Sequence, residues 1–108
     1  MSNPLSGRYA IITGANQGLG LAIARAYVAA GANVLLCARD TDKLKEAQQI
    51  ISPLAAPGQW VEIQAVDVSQ KDQVDMLVQR AYSIFPRLDI LVNNAGVYGP
   101  KGKIEEIE

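Results

Sequence analysis

The chain contains no histidine and a single cysteine, Cys37. The first absence excludes His-based general bases, Ser-His-Asp triads and ordinary zinc sites. The second excludes an internal disulfide framework and any multi-cysteine metal cluster. Charge of one sign is also lacking: ten Lys plus Arg face eleven Asp plus Glu, a formal net charge of -1. No global positive field exists to hold nucleic acid or an anionic membrane, so neither is an expected partner. No apolar run approaches the ~18 residues of a membrane-spanning helix, and Met1 to Arg8 lacks the basic and apolar regions of a secretory signal. The expected location is therefore the cytoplasm, where a lone reduced cysteine is ordinary. With 108 residues, 49% hydrophobic and 19% charged, the chain has room for one core and is too apolar for a disordered segment.

What is present alternates between continuous apolar runs and helical stripes. Tyr9 to Thr13 and Asn33 to Ala38 are apolar without alternation, which predicts strands buried on both faces. Between them, Leu19 to Ala30 carries Ile23, Tyr27 and Val28 at helical spacing, with Gly31 placed as a C-terminal cap. A second helix is capped by Asp40 or Thr41, carries Leu44, Ala47 and Ile51 on one stripe, and stops near Ser52 because Pro53 cannot continue the ladder. After the Pro57-Gly58 turn, the alternation of Trp60 to Val66 predicts an edge strand with one wetter face. Ser69-x-x-Asp72 has the form of a capping box with Asp in place of Glu, opening a helix that carries Val74, Leu77, Val78, Ala81 and Phe85 on one face up to Pro86. Leu88 to Asn93 reads as a fourth, mostly buried strand, and residues 94–103 as a glycine-containing loop, after which Ile104 begins a further element.

Strand and helix alternate three times before the last strand, with crossovers too long for hairpins. The fold class is therefore α/β, a parallel sheet with right-handed connections and helices on both faces. The segment with most chemical content is Thr13-Gly14-Ala15-Asn16-Gln17-Gly18-Leu19-Gly20, between the first strand and the first helix. Its glycines suit a tight turn, and in that position they also suit close approach of a pyrophosphate to the free N-H groups of a helix N-terminus. The spacing G-x-x-x-G-x-G differs from G-x-G-x-x-G and lacks the lysine of a nucleoside triphosphate loop.

These residues resemble the short-chain dehydrogenase/reductases, whose shorter-subunit members carry T-G-x-x-x-G-x-G at this turn; Thr13, Gly14, Gly18 and Gly20 match it. Asn93-Asn94-Ala95-Gly96 is similar to the family's N-N-A-G at the end of the fourth strand, and Asp67-Val68 to the family's adenine-site pair. Asp67 also suits a strand-end turn, and Asn93 and Asn94 suit turn conformations in their own right. The resemblance implies a Rossmann-like doubly wound sheet. It also implies a cofactor site built from Thr13, Gly14, Asn16, Gln17, Gly18, Leu19, Gly20, Arg39, Asp67, Val68, Asn93, Ala95 and Gly96. Extended sugar-nucleotide epimerase-like relatives fit less well, since Gln17 stands where their middle glycine falls.

In register with the family, the acidic position that would bond the ribose hydroxyls of NAD falls on Ala38, and Arg39 follows it. An arginine fork suits a 2'-phosphate, so NADP(H) is expected over NAD(H), although Gln17 stands where many NADP-using relatives carry a basic residue. Asp40, about twenty residues beyond the glycine turn, is read as a helix cap. The implied reaction is hydride transfer between nicotinamide and an alcohol or carbonyl, using a Tyr-x-x-x-Lys and a serine. No Tyr-x-x-x-Lys occurs: the residues four beyond Tyr9, Tyr27, Tyr82 and Tyr98 are Thr13, Gly31, Pro86 and Gly102. Tyr98 is expected to pack in its loop or line a substrate entrance. Residues 1–108 are thus expected to be the N-terminal part of one NAD(P)-binding Rossmann domain, about four parallel strands and three helices. Alone the chain is expected to be catalytically incompetent, and the full-length protein a homo-oligomer. The competing expectation is a naturally short, non-catalytic dinucleotide-binding module.

Overall fold

The computed structural model describes residues 3–94. Tyr9–Thr13 forms β1, Gly18–Ala29 α1, Asn33–Ala38 β2, Thr41–Ile51 α2, Val61–Ala65 β3, Lys71–Ile84 α3 and Ile90–Val92 β4, with a short 3-10 turn at Ser52–Leu54. All pairings are parallel and the strand order is β3-β2-β1-β4. The chain steps outward from β1 to β2 to β3, then returns across the sheet to place β4 on the far side of β1. Crossovers keep one handedness, so reversing the direction of travel moves the connecting helix to the opposite face.

The two core clusters record that switch. On one face Ala24 and Val28 of α1 and Leu44 and Ile51 of α2 pack on Ala10, Ile12, Val34 and Leu36. On the other, Leu77 and Ala81 of α3 meet Ile11, Leu35, Cys37, Val66 and Phe85. Successive strand residues therefore serve opposite faces, which is why β1 and β2 read as unbroken apolar runs. Ile11, Ile12, Leu35 and Leu36 are fully buried. Each such side chain stabilises the fold by about 1.5–3 kcal/mol.

The helix ends have local causes. Gly31 adopts φ 102, and its N-H and that of Ala32 donate to the Val28 and Tyr27 carbonyls at 3.0 Å each, a Schellman stop for α1. The chain tightens at Ser52–Leu54, where Pro53 sits. Asp40 caps α2, its Oδ1 accepting from the Lys43 N-H at 3.1 Å.

Four expectations need correction. Ser69 does not cap α3; Gln70 occupies that position without a side-chain cap bond, and the Ser69 hydroxyl and N-H instead donate to Asp67 Oδ1. On α3 the buried residues are Leu77 and Ala81, while Val78 lies 38% exposed, since α3 alone covers its side of the sheet among the described residues. The fourth strand pairs only over Ile90–Val92 and is not mostly buried: Leu91, opposite Ile11 on the α3 side, is 40% exposed. The edge position of β3 is borne out, but one wetter face is not: Val61 to Gln64 are all half-buried, and the exposed residue is Ala65.

Candidate functional site

The C-terminal ends of the four strands share one rim of the sheet, and the glycine turn lies at its centre. Gly14 and Gly18 have φ of 61 and 58, in the left-handed region where an L side chain is strained. A Cβ at Gly18 would meet no atom of the described residues within 4 Å, so among them the space above the turn is open. Gly20 is required for a different reason. A Cβ there would drive into the Gly14 carbonyl and come within 2.8 Å of Asn94 Nδ2. Two glycines thus shape the turn, and the third lets α1 seat against it.

Helix α1 presents its N-terminus to this rim with no side-chain cap and no acidic residue in its first turn. The contrast with α2, whose N-terminus is closed by Asp40, is direct. The leading N-H groups of α1 and the positive end of its dipole therefore face the open space above Gly18. Gln17 and Leu19 are exposed beside it, Leu19 to 63%, and Asn16 is half-buried. That combination fits an anionic diphosphate.

Cross-links fix the rim. Thr13 Oγ1 lies 3.2 Å from the Val92 carbonyl, to which it donates, and 3.2 Å from Asn93 Oδ1, tying β1 to β4 at the point where the sheet reverses its winding. Asn94 Nδ2 reaches the Gly14 carbonyl at 3.4 Å, and the Ala15 N-H donates to the Cys37 carbonyl at 3.1 Å. Beside the turn, β2 ends on buried Ala38 and then exposes Arg39. The Val66 N-H donates to the Ala38 carbonyl at 2.8 Å, bringing the end of β3 alongside. Asp67 follows, its Oδ1 accepting from the Ser69 N-H at 3.0 Å and the Ser69 hydroxyl at 2.6 Å. The Ser69 hydroxyl and N-H hold the Asp67 carboxyl below its ordinary range, and the Arg39 charge adds to the effect. Val68 packs against the cluster on the α3 side.

The structure therefore gathers Thr13, Gly14, Asn16, Gln17, Gly18, Leu19, Gly20, Arg39, Asp67, Val68 and Asn93 along one rim. Ala95 and Gly96 lie outside the described residues. Asp40 turns away into its cap, as expected. Gln73 was not legible in the sequence: its Oε1 accepts the Asp67 N-H at 2.7 Å from within α3. No spacing rule links residues six apart across a turn.

Among the described residues no tyrosine reaches this rim. Tyr9 begins β1 and packs against Phe85 in a tilted pair with ring centroids 5.0 Å apart, Tyr27 packs against the core from late in α1, and Tyr82 is exposed near the end of α3. Tyr98 lies outside the described residues. No group of three or more His, Cys, Asp or Glu is gathered for a metal among the described residues, and no described helix is long and apolar enough to cross a membrane.

Comparison with known proteins adds the following. The short chain dehydrogenase family model matches residues 8–108. An uncharacterized oxidoreductase of Mycobacterium bovis is 40% identical over 97 residues, covering 90% of this chain and 38% of the relative. The 3beta-hydroxysteroid dehydrogenase 2 of Eggerthella lenta is 38% identical over 96 residues, covering 88% of this chain and 36% of the relative. Among solved structures, L-sorbose reductase from Gluconobacter frateurii, complexed with NADPH and L-sorbose, superposes with a TM-score of 0.82 at 41% identity. That match covers 100% of this chain and 40% of the reductase. The chain spans less than half the length of these relatives.

Proposed function

The chain belongs to the short chain dehydrogenase family of oxidoreductases, and from that premise we propose that residues 1–108 form the cofactor-holding part of a reductase that prefers NADP(H). The observation that carries the proposal is the uncapped N-terminus of α1, set above Gly14 and Gly18 in open space. Its N-H groups bind the pyrophosphate. Arg39, exposed at the end of β2 with no carboxylate at Ala38, receives the 2'-phosphate. Asp67 and Val68 border the adenine, and Thr13 and Asn93 hold β1 and β4 in register beneath the cofactor.

When bound, the nicotinamide supplies the hydride exchanged with an alcohol or carbonyl substrate. This chain's own residues bind and orient. With no Tyr-x-x-x-Lys in its sequence, the 108-residue chain is proposed to bind dinucleotide without turning over substrate. Cytoplasmic location and self-association of the whole protein belong to the same proposal.

Titration of the chain with NADPH and NADH tests the reading. A charge-assisted bond to the 2'-phosphate is worth about 1.5–3 kcal/mol, so NADPH should bind about ten- to a hundredfold more tightly than NADH. Arg39→Ala should remove most of that preference while NADH affinity stays within about twofold. Equal affinity for the two cofactors, or binding of neither, would overturn the cofactor assignment. Oxidation of NADPH by the purified chain with a carbonyl substrate would overturn its catalytic incompetence.

A further inference from the structure

Asp67 is held more completely than a strand-end residue requires. Its N-H donates to Gln73 Oε1 at 2.7 Å, its carbonyl accepts from the Gln70 N-H at 3.0 Å, and both Ser69 donors occupy Oδ1. Of the polar atoms of Asp67, only Oδ2 has no hydrogen bond among the described residues. The carboxyl is ionised at neutral pH, so Oδ2 offers acceptor capacity only. Such an atom rewards an incoming N-H and repels a carbonyl oxygen.

Position gives that acceptor a meaning. The ends of β1, β2 and β3 lie side by side, roughly 4.8 Å per strand, and carry in order the glycine turn, Arg39 and Asp67. If the pyrophosphate sits at α1 and the ribose phosphate at Arg39, the base falls at Asp67. This step rests on the dinucleotide reading above.

We propose that Gln73 is a positioning residue for base recognition: by gripping the Asp67 backbone from α3, while Ser69 fills Oδ1, it aims Oδ2 at the exocyclic amine of adenine. Gln73 touches no cofactor atom itself. Its half-buried amide replaces a water that would otherwise bond the Asp67 N-H and leave the turn free to rotate. The pair thereby distinguishes an amine-bearing base from one with a carbonyl at the same position. A site built around a buried or fixed polar group rejects the mismatched partner more strongly than an apolar site does.

The test compares NADPH with its hypoxanthine counterpart, which carries a carbonyl where adenine carries the amine. The 108-residue chain should prefer NADPH by about tenfold. Gln73→Met, which keeps the length and loses the acceptor, should bring the ratio to within about twofold by weakening NADPH binding alone. Gln73→Glu, which keeps an acceptor oxygen, should restore it. Gln73→Met combined with Asp67→Asn should lower the ratio no further than Asp67→Asn alone, because the two act through one atom. A Gln73→Met protein that weakens both dinucleotides equally, or keeps the wild-type ratio, would show a structural role and overturn the inference. If the wild-type chain binds both tightly without preference, the base inference falls and the dinucleotide reading stands. If it binds neither, both fall.

Discussion

Single residues at the rim divide into those required for backbone conformation and those required for space, and substitution separates the two. Gly20→Ala forces a methyl group against the Gly14 carbonyl and Asn94. We expect a loss of about 1–3 kcal/mol in denaturant unfolding, the range for overpacking a closed contact. Gly18→Ala meets open space but places a side chain at φ 58, so a loss of about 1–2 kcal/mol is expected from conformation alone. Cys37 supplies a pH dependence. Burial pushes its thiol up to about 12 from an ordinary 9.0, against a smaller opposing effect of the Arg80 charge. The folded state therefore keeps a proton that the unfolded chain releases first. This contribution to stability is fully present below about pH 9 and is lost as the pH rises towards 12. Unfolding midpoints measured from pH 8 to 11 should fall, and Cys37→Ala should flatten that slope. At this scale the sequence was only partly legible. The glycine spacing, Arg39 and the Asp40 cap were readable, because each is a local pattern with a fixed offset. Gln73 and the capture of Ser69 by Asp67 were not, because competing acceptors are settled only when the turn folds.

Elements were more legible than their limits. The continuous apolar runs of β1 and β2 and the stripe of Leu44, Ala47 and Ile51 match the structure closely, since both are consequences of burial from known directions. Strand β4 read as longer and drier than it is. An apolar run indicates what a segment prefers, whereas its partners decide how much of that preference is met. The exposed edge of β3 shows a related device. Gln48 reaches from α2 to the Val61 carbonyl at 2.7 Å, satisfying a main-chain group on the unpaired side. The α2 cap is the element-scale test. Asp40→Ala should lower stability by about 1 kcal/mol in chemical denaturation. Because Asp40 faces its own helix, NADPH affinity should stay within about twofold of wild type. A large loss of NADH binding in this variant would instead place the carboxylate on the ribose.

For the molecule as a whole, the alternation of strand and helix gave the class of fold, and chirality supplies the rest. One reversal of winding direction places α1 and α2 on one face, α3 on the other, and the rim between β1 and β4 at the crossover. The near-neutral chain has no global field for an anion, so any such attraction is local. The same topology has a consequence during synthesis. The bond from the Tyr9 N-H to Asp89 joins residues 80 apart, and β1 is the central strand that both neighbours need. At about 5–20 residues per second, one side of β1 stays open on the ribosome for roughly 4–16 s after it has been made. During that interval β2, arriving first, shields only the other side. The main-chain N-H and C=O groups along that edge stay without their partner strand until Ile90–Val92 has emerged.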